Sequence, residues 1–229
     1  DNNLTSLDLS GIPQLEELTA LNNDIVSVDF SKNINLLSIQ LGRNNNLSNV
    51  DLSKNLELLS FGCSSCNISS IDISKNTKLT SLGLGVLGYL DCNGEFCYNS
   101  LTSIDLSSNP NIKGLNLDGN NFSQIDISNL NQLESLNLQN NPINSIDLTS
   151  TISLKSLNIN GTNISNLDVS SQDELWDLNC VNSKNLSCIK VSQLQIDNQI
   201  TNGTINNVVP QFGVFWTKDS DDIFSLDCN

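Results

Sequence analysis

Carboxylates and cysteines are the residues of this chain that could do chemistry, because it contains no histidine. The 229 residues include 25 Asp and Glu against 10 Lys and Arg, which gives a formal net charge of −15. Without histidine there is no Ser/His or Cys/His catalytic pair, no imidazole ligand for zinc and no imidazole pH switch. An enzyme would have to work with carboxylates, and the acidic balance opposes binding to nucleic acid or to an anionic membrane surface.

Eight aspartates recur at a regular spacing, each between two apolar residues and two residues before Ser or Thr: Asp8, Asp29, Asp51, Asp72, Asp105, Asp126, Asp147 and Asp168. Stacked at strand spacing, neighbouring carboxylates would repel by roughly 0.8 kcal/mol even in water. Such a row could collect Ca²⁺, which takes about six to eight oxygen ligands. The alternative, which we favour, is a solvated, hydrogen-bonded edge that keeps this side soluble.

The aspartates recur because the whole chain repeats. The pattern apolar-x-x-apolar-x-apolar occurs in two interleaved series, one starting at residues 15, 36, 58, 79, 112, 133, 154 and 175 and the other at 4, 25, 47, 68, 101, 122, 143, 164 and 186. Within each series the step is 21 or 22 residues, except for one step of 33. All 51 pattern positions are Leu, Ile, Val, Phe, Ala or Cys in a chain that is 38% apolar, which predicts a repeat architecture.

The elements that carry the pattern are predicted to be short strands. Apolar residues alternate over its last three positions, as they do in a strand, and no stretch keeps a helical spacing for ten residues. We therefore predict a mainly β, right-handed solenoid with two short parallel strands per turn of about 21 residues. The solenoid would cover residues 1–192 with an insertion loop at 85–99, and residues 193–229 would form a C-terminal cap.

The two series resemble a known family. The first reads L-x-x-L-x-L-x-x-N, as in Leu133 to Asn141, and the second reads I-x-x-I-D-L-S-x-N, as in Leu101 to Asn109. Together they are similar to bacterial leucine-rich repeats of 21 residues with nested periodicity, called IRREKO repeats, over roughly residues 4–191. The resemblance implies a leucine-rich repeat solenoid in a secreted or surface protein, with the first series on the concave sheet that serves as the default docking surface.

Asparagine recurs at the ninth position of both patterns. A buried amide must bond backbone groups, because an unpaired polar group costs roughly 1–3 kcal/mol. We therefore expect a structural, inward-pointing role for these residues: Asn23, Asn44, Asn120 and Asn141 in the first series, and Asn33, Asn55, Asn76 and Asn109 in the second.

The outward column of the first series is the extended candidate binding surface. It consists of Thr19, Gln40, Gly62, Gly83, Asn116, Asn137, Asn158 and Asn179. Four asparagines on adjacent strands could form a ladder of amides, and they offer donors and acceptors to a polar ligand. Trp176 projects beside this column, either as an anchor for a partner or as the residue on which the cap packs.

The insertion is the local candidate site, because loops on rigid scaffolds concentrate binding residues. It holds Tyr89, Phe96 and Tyr98, and Tyr89 and Tyr98 are the only tyrosines of the chain. The alternative is that its apolar residues fold over the neighbouring turn near Cys66 as a small cluster. In residues 193–229, four aromatic residues suit the open end of the last turn: Phe212, Phe215, Trp216 and Phe224.

Seven cysteines cannot all pair. Cys63 and Cys180 hold inward pattern positions and Cys66 holds the position of a buried Asn, so we expect these three to be buried thiols rather than a redox or metal Cys-x-x-Cys site. The remaining four suggest disulfides between Cys92 and Cys97 and between Cys188 and Cys228. Disulfides imply an oxidising compartment, hence a secreted or surface location.

These features favour a non-enzymatic recognition module that binds a protein or a polysaccharide at the cell surface, without a cofactor. A structural or adhesive spacer, stabilised by calcium or not, is the alternative. Catalysis is the weakest hypothesis, because a pair of carboxylates for glycoside hydrolysis needs a cleft that a ridge of aspartates does not form. No apolar run approaches the roughly 20 residues of a membrane span.

Overall fold

The computed structural model describes residues 2–86, 98–196, 215–218 and 223–228. Within these ranges the chain forms fourteen short strands and one helical turn at residues 193–196. The strands are β1 (Ser6–Leu7), β2 (Glu17–Thr19), β3 (Ser27–Val28), β4 (Ser38–Gln40), β5 (Ser60–Gly62), β6 (Ser81–Gly83), β7 (Gly114–Asn116), β8 (Ser135–Asn137), β9 (Ser156–Asn158), β10 (Asn166–Asp168), β11 (Asp177–Asn179), β12 (Cys188–Lys190), β13 (Phe215–Thr217) and β14 (Ile223–Ser225).

The eight copies of the first repeat series build a nine-stranded parallel sheet together with β13 of the C-terminal segment. Its strand order is β2-β4-β5-β6-β7-β8-β9-β11-β13, so every copy of the first pattern contributes one strand. Neighbouring strands pair in strict register, with Leu115 opposite Leu136 and Leu136 opposite Leu157. The prediction of a parallel β-solenoid of about eight turns is therefore confirmed.

The second series follows the same winding but forms regular strands only near the two ends. There β1 pairs with β3, and β12 lies between β10 and β14, while residues 47–148 of this series contain no assigned strand. Hollows separate successive turns on this side, as between Thr102–Ile104 and Phe122–Asp126. In this stretch successive turns share single backbone hydrogen bonds, such as the one from the N–H of Asn121 to the carbonyl of Leu101 (2.8 Å), rather than the ladder of a regular strand.

The core is a column of stacked Leu, Ile and Phe side chains, with Phe30, Phe61 and Phe122 the largest that are fully buried. Not every pattern position is fully buried in this column. Six middle residues of the second series pack against this core but are only half-buried: Leu7, Val28, Ile71, Ile104, Ile125 and Ile146. In the first turns Leu4 is exposed and Leu15 and Leu18 are half-buried.

A left-handed residue precedes the buried ninth position in seven turns of the first series. These residues, with φ between 53° and 68°, are Asn22, Arg43, Ser65, Gly119, Asn140, Gly161 and Asn182. They turn the chain out of the sheet and into the return segment. The equivalent residue of the remaining turn is Val86, whose β-branched side chain disfavours that conformation, and the insertion follows it.

The buried asparagines of the two series make different sets of bonds. Asn141 donates from Nδ2 to the carbonyl oxygens of Leu117 (2.9 Å) and Leu138 (3.1 Å), and its Oδ1 accepts the N–H of Phe122 (3.0 Å). Asn76 also donates to two carbonyls, but its Oδ1 is buried without a partner. First-series asparagines therefore bond with both ends of the amide, and Asn76 with one.

This difference predicts unequal costs for the same substitution. Asn141→Leu should lower the free energy of unfolding by about 2 kcal/mol more than Asn76→Leu, because it orphans an additional buried N–H. The second series already tolerates a leucine at this position, since the fully buried Leu130 stands where Asn109 stands one turn earlier. Urea unfolding of both variants measures the difference. Equal losses of unfolding free energy would contradict the inference that Asn141 makes one more stabilising hydrogen bond than Asn76.

Two disulfides lie in the described residues. One joins Cys188 to Cys228, the predicted clamp on the C-terminal segment, with Cα atoms 5.7 Å apart. The other joins Cys63 to Cys66, so the expectation of buried thiols at these positions is wrong. The left-handed residue Ser65 turns the chain between them and leaves the Cα atoms 5.6 Å apart, within disulfide range. Cys180 is a buried thiol, as expected.

The C-terminal segment continues the solenoid rather than only covering it. β13 pairs in parallel with β11 and β14 with β12, so the segment adds a strand to each side of the stack. The disulfide between Cys188 of the last repeat and Cys228, at a sequence separation of 40, joins the end of this segment to the repeats. The Cys92–Cys97 pair lies outside the described residues.

Removing the clamp should loosen this last turn. Replacing both Cys188 and Cys228 by Ser is expected to lower the free energy of unfolding by about 4 kcal/mol on the chain-entropy model for a loop of this length. Thermal unfolding measures it, with wild-type protein under reducing conditions as the second arm. Unchanged melting after substitution would show that the strand pairings alone hold the segment.

Candidate binding surface

The four asparagines of the outward column lie side by side on the nine-stranded sheet. Residue pairing places Asn116 opposite Asn137, Asn137 opposite Asn158, and Asn158 opposite Asn179. Parallel strands lie about 4.8 Å apart, so the row repeats at that spacing. A second outward row runs beside it: Gly114, Ser135, Ser156 and Asp177. We call these eight residues the Asn face.

The Asn face is not an amide ladder. The Oδ1 atom of each asparagine accepts the backbone N–H two residues later, at 3.1 Å for Asn116, Asn137 and Asn158 and 3.3 Å for Asn179. Asn158 also donates from Nδ2 to Oε1 of Gln139 (2.8 Å). No described residue accepts a bond from Nδ2 of the other three. Each side chain is therefore fixed through its oxygen, and three amide donors are left for a ligand.

Toward the N-terminal end, the outward column loses its side chains. Gly62 and Gly83 continue the Asn row, and the Gln40 side chain lies over Gly62 and donates to Oγ of Ser60 (3.2 Å). A β-carbon at Gly62 would collide with the Gln40 amide. This part of the sheet is therefore polar and flat, and it offers fewer donors than the Asn face.

A short chain of charges borders the Asn face. Glu134 lies between Lys155 (2.9 Å) and Lys113 (3.6 Å). Hydrogen bonding and charge from Lys155 lower the pKa of Glu134, and the same contact raises the pKa of Lys155. Trp176 follows in this border column, and its side chain is 46% exposed beside Asp177. Because it retains this exposure, it remains a candidate anchor for a partner.

The described part of the insertion packs against the turn that follows it. Tyr98 is 46% exposed, and its ring and Val86 approach the Gly119 backbone so closely that neither leaves room for a β-carbon there. The alternative that the apolar residues of the insertion fold over the turn near Cys66 stays a prediction, because residues 87–97 lie outside the described ranges. Tyr89 and Phe96 lie outside the described residues, so their role stays a prediction.

Asn99 anchors the end of the insertion, and the sequence reading missed it. Its Nδ2 donates to the carbonyls of Cys63 and Leu84 (both 2.8 Å), and its Oδ1 accepts the N–H of Ile68 (2.8 Å). These are the bonds of a ninth-position asparagine, displaced along the chain by the extra residues. The sequence contains a signal for this role. The long step exceeds the usual step of 21 by 12 residues, and Asn99 stands the same 12 residues after position 87, the ninth position of the copy that starts at Leu79.

Asp118 lies between Tyr98 and the Asn face. Its backbone N–H bonds Asn116, and its Oδ1 is buried without a hydrogen-bond partner. Burial raises the pKa of Asp118 to about 6, partly opposed by a hydrogen bond from Asn140. Burial, together with the charge of Asp118, raises the pKa of Tyr98. The ionised carboxylate is therefore an unfavourable charge at the base of the insertion.

Replacing Asp118 by Asn should stabilise the protein at neutral pH. Because its pKa rises on folding from 3.8 to about 6, wild type loses stability as the pH rises through this window, and the loss is complete above it. The melting temperature of Asp118→Asn should equal that of wild type near pH 3.5, exceed it progressively up to pH 6, and then keep a constant lead. Asp126→Asn, on the opposite side, is the control and should show no such lead.

On the opposite side, each aspartate of the row bonds the residue two positions later. Asp126 Oδ1 accepts both the N–H (3.0 Å) and the hydroxyl (2.7 Å) of Ser128, and these bonds lower its pKa. The same turn recurs at the other seven, which explains how the row tolerates its like charges. No group of three or more Cys, Asp or Glu within the described ranges is placed to hold a metal ion.

Solved structures share this fold at low sequence identity. The functional domain of InlJ from Listeria monocytogenes, which includes a cysteine ladder, matches with a TM-score of 0.54 and 20% identity over 81% of this chain and 48% of that one. The internalin InlF from the same organism gives 0.59 and 18%, over 81% and 63%. This is the leucine-rich repeat fold. The chain spans about half to two thirds of these two leucine-rich repeat proteins.

A third match is a receptor with its ligand. The leucine-rich repeat ectodomain of the Arabidopsis thaliana receptor kinase GASSHO1/SCHENGEN3, in complex with Casparian strip integrity factor 2, gives a TM-score of 0.60 and 23% identity over 83% of this chain and 27% of that one. No protein-family model matches the sequence, and no curated protein matches it. No helix in the described parts of the chain has the length and apolar character needed to cross a membrane.

Proposed function

We propose that this leucine-rich repeat domain is a non-enzymatic recognition module whose partner binds across the Asn face. The observation that carries the proposal is the row of four asparagines in register on adjacent strands. Their oxygens are held by the backbone, so the row is ordered before a ligand arrives and little side-chain entropy is lost on binding. A protein or a glycan would bind at the surface of the solenoid rather than in an enclosed cavity.

The surroundings of the face fit recognition better than catalysis. The bordering carboxylate of Glu134 is neutralised by two lysines, and the aspartates of the opposite side are bonded within their own turns. Asp118 is the described carboxylate with a strongly raised pKa, and it lies at the base of the insertion without a second carboxylate described beside it. Acid–base hydrolysis of a glycan would need a pair of carboxylates across a cleft.

The disulfides support a secreted or surface location. Cys63–Cys66 and Cys188–Cys228 are bonds of an oxidising compartment. The plant receptor ectodomain with its bound factor shows that this fold can serve recognition, and we extend that role to the present chain. Tyr89, Phe96, Tyr98 and Trp176 remain proposed contacts at the margins of the face.

A pair of matched substitutions tests the face. Ser135 lies in the middle of the Asn face and Ser145 on the opposite side of the same turn, and both side chains are exposed. Ser135→Arg should reduce binding at least tenfold to any partner that wild type binds on an array of extracellular proteins and polysaccharides, because the long cation covers the row. Ser145→Arg should bind as wild type does, and both should melt together with it. Loss of binding in Ser145→Arg alone would contradict the proposal and would indicate a binding site on the opposite side of the solenoid.

A further inference from the structure

We infer that the ligand of the Asn face is an uncharged, unbranched polysaccharide, whose hydroxyl groups accept hydrogen bonds from the successive asparagine amides. This inference rests on the proposed function and names its ligand class.

The centre of the face has the wrong composition for the core of a protein interface. On β7, β8 and β9 every outward side chain is Gly, Ser or Asn. The energetic centres of protein interfaces are rich in Trp, Tyr and Arg and poor in Ser, since an apolar pocket must be desolvated there. A ligand that is itself covered with hydroxyl groups needs no such pocket.

Three of the four amides on the face have an N–H donor that no described residue accepts. Nδ2 of Asn116, Asn137 and Asn179 has no acceptor among the described residues, while Oδ1 of each is already bonded to the backbone. The three side chains are half-buried, so their donors cannot simply turn away from the surface. Beside them the exposed Ser135 hydroxyl can both donate and accept, as a sugar hydroxyl can.

The repetition of the face matches a repeating ligand. The donors recur at the strand spacing of about 4.8 Å, which is close to the length of one sugar unit in an extended chain. A polymer can therefore bond one residue after another, and weak contacts add up over several units. Trp176, nearly half exposed at the border, offers a flat apolar surface for the C–H face of a sugar ring.

The charges near the face select an uncharged polymer. Asp177 belongs to the face and Asp118 follows Asn116 on its edge, so an anionic chain such as a nucleic acid would meet carboxylates. The positive charges of Lys113 and Lys155 are partly offset by Glu134, which lies between them. A neutral polysaccharide carries no charge for these carboxylates to repel.

The test is native affinity electrophoresis of the full chain in gels that contain an unbranched neutral polysaccharide (mixed-linkage β-glucan, glucomannan or pullulan), with alginate as the anionic comparison. We expect wild type to be retarded by at least one neutral polysaccharide and not by alginate. Asn137→Asp keeps the oxygen that accepts the Gln139 N–H but removes the donor, so its affinity should fall about tenfold, the equivalent of roughly 1.4 kcal/mol. Asn144→Asp makes the same change on the opposite side and should match wild type.

The outcomes separate this inference from the proposed function. Equal retardation of wild type and Asn137→Asp, or retardation by alginate alone, overturns the inference. If no neutral polysaccharide retards wild type while Ser135→Arg abolishes binding to a protein on the array, the polysaccharide is wrong and the recognition face stands. If Ser135→Arg changes no binding to protein or polysaccharide, both are wrong. Melting curves of each variant exclude loss of folding as the cause.

Discussion

The register between successive turns is the constraint on which this structure depends. Each turn must place its strand in register against the strand of the previous turn, and the buried asparagines enforce this by bonding both. Asn141 bonds the carbonyls of Leu117 in one turn and Leu138 in its own, and it receives the N–H of Phe122. A change in turn length would detach these bonds, so the period stays at 21 or 22 residues, and the one longer step is inserted where Asn99 can restore the same bonds.

The same register creates the surface. Because turns stack without slipping, any residue type that recurs at one position of the repeat becomes a straight row in space. Asparagine after the second leucine becomes the Asn face, and aspartate at the corresponding position of the other series becomes the row on the opposite side. Both rows use the same local bond, in which a side-chain oxygen accepts the N–H two residues later. They differ in what remains: an amide donor on one side and a charged, solvated oxygen on the other.

The candidate site was predictable to the extent that it is periodic. The sequence identified Asn116, Asn137, Asn158 and Asn179 as an outward row because alternation in a strand fixes the direction of each side chain. It could not give the bonds of those amides, and the expected ladder does not form because the backbone N–H two residues later takes the oxygen first. Asp118 was not singled out, because its raised pKa depends on the burial of the carboxylate in the folded chain, which the residue type at that position does not reveal.

The period, the parallel stacking and the composition of each row follow from the sequence alone, since they need only a local alternation that is repeated many times. The tertiary structure decided what depends on distances between turns. The second series forms no regular strand between residues 47 and 148, where single backbone hydrogen bonds join successive turns. Cys63 and Cys66 form a disulfide because the left-handed Ser65 brings them within range. The Oδ1 of Asn76 is left unpaired, whereas both ends of Asn141 are bonded. Periodicity fixes the direction in which a side chain points, but its partners depend on how closely the neighbouring turn approaches.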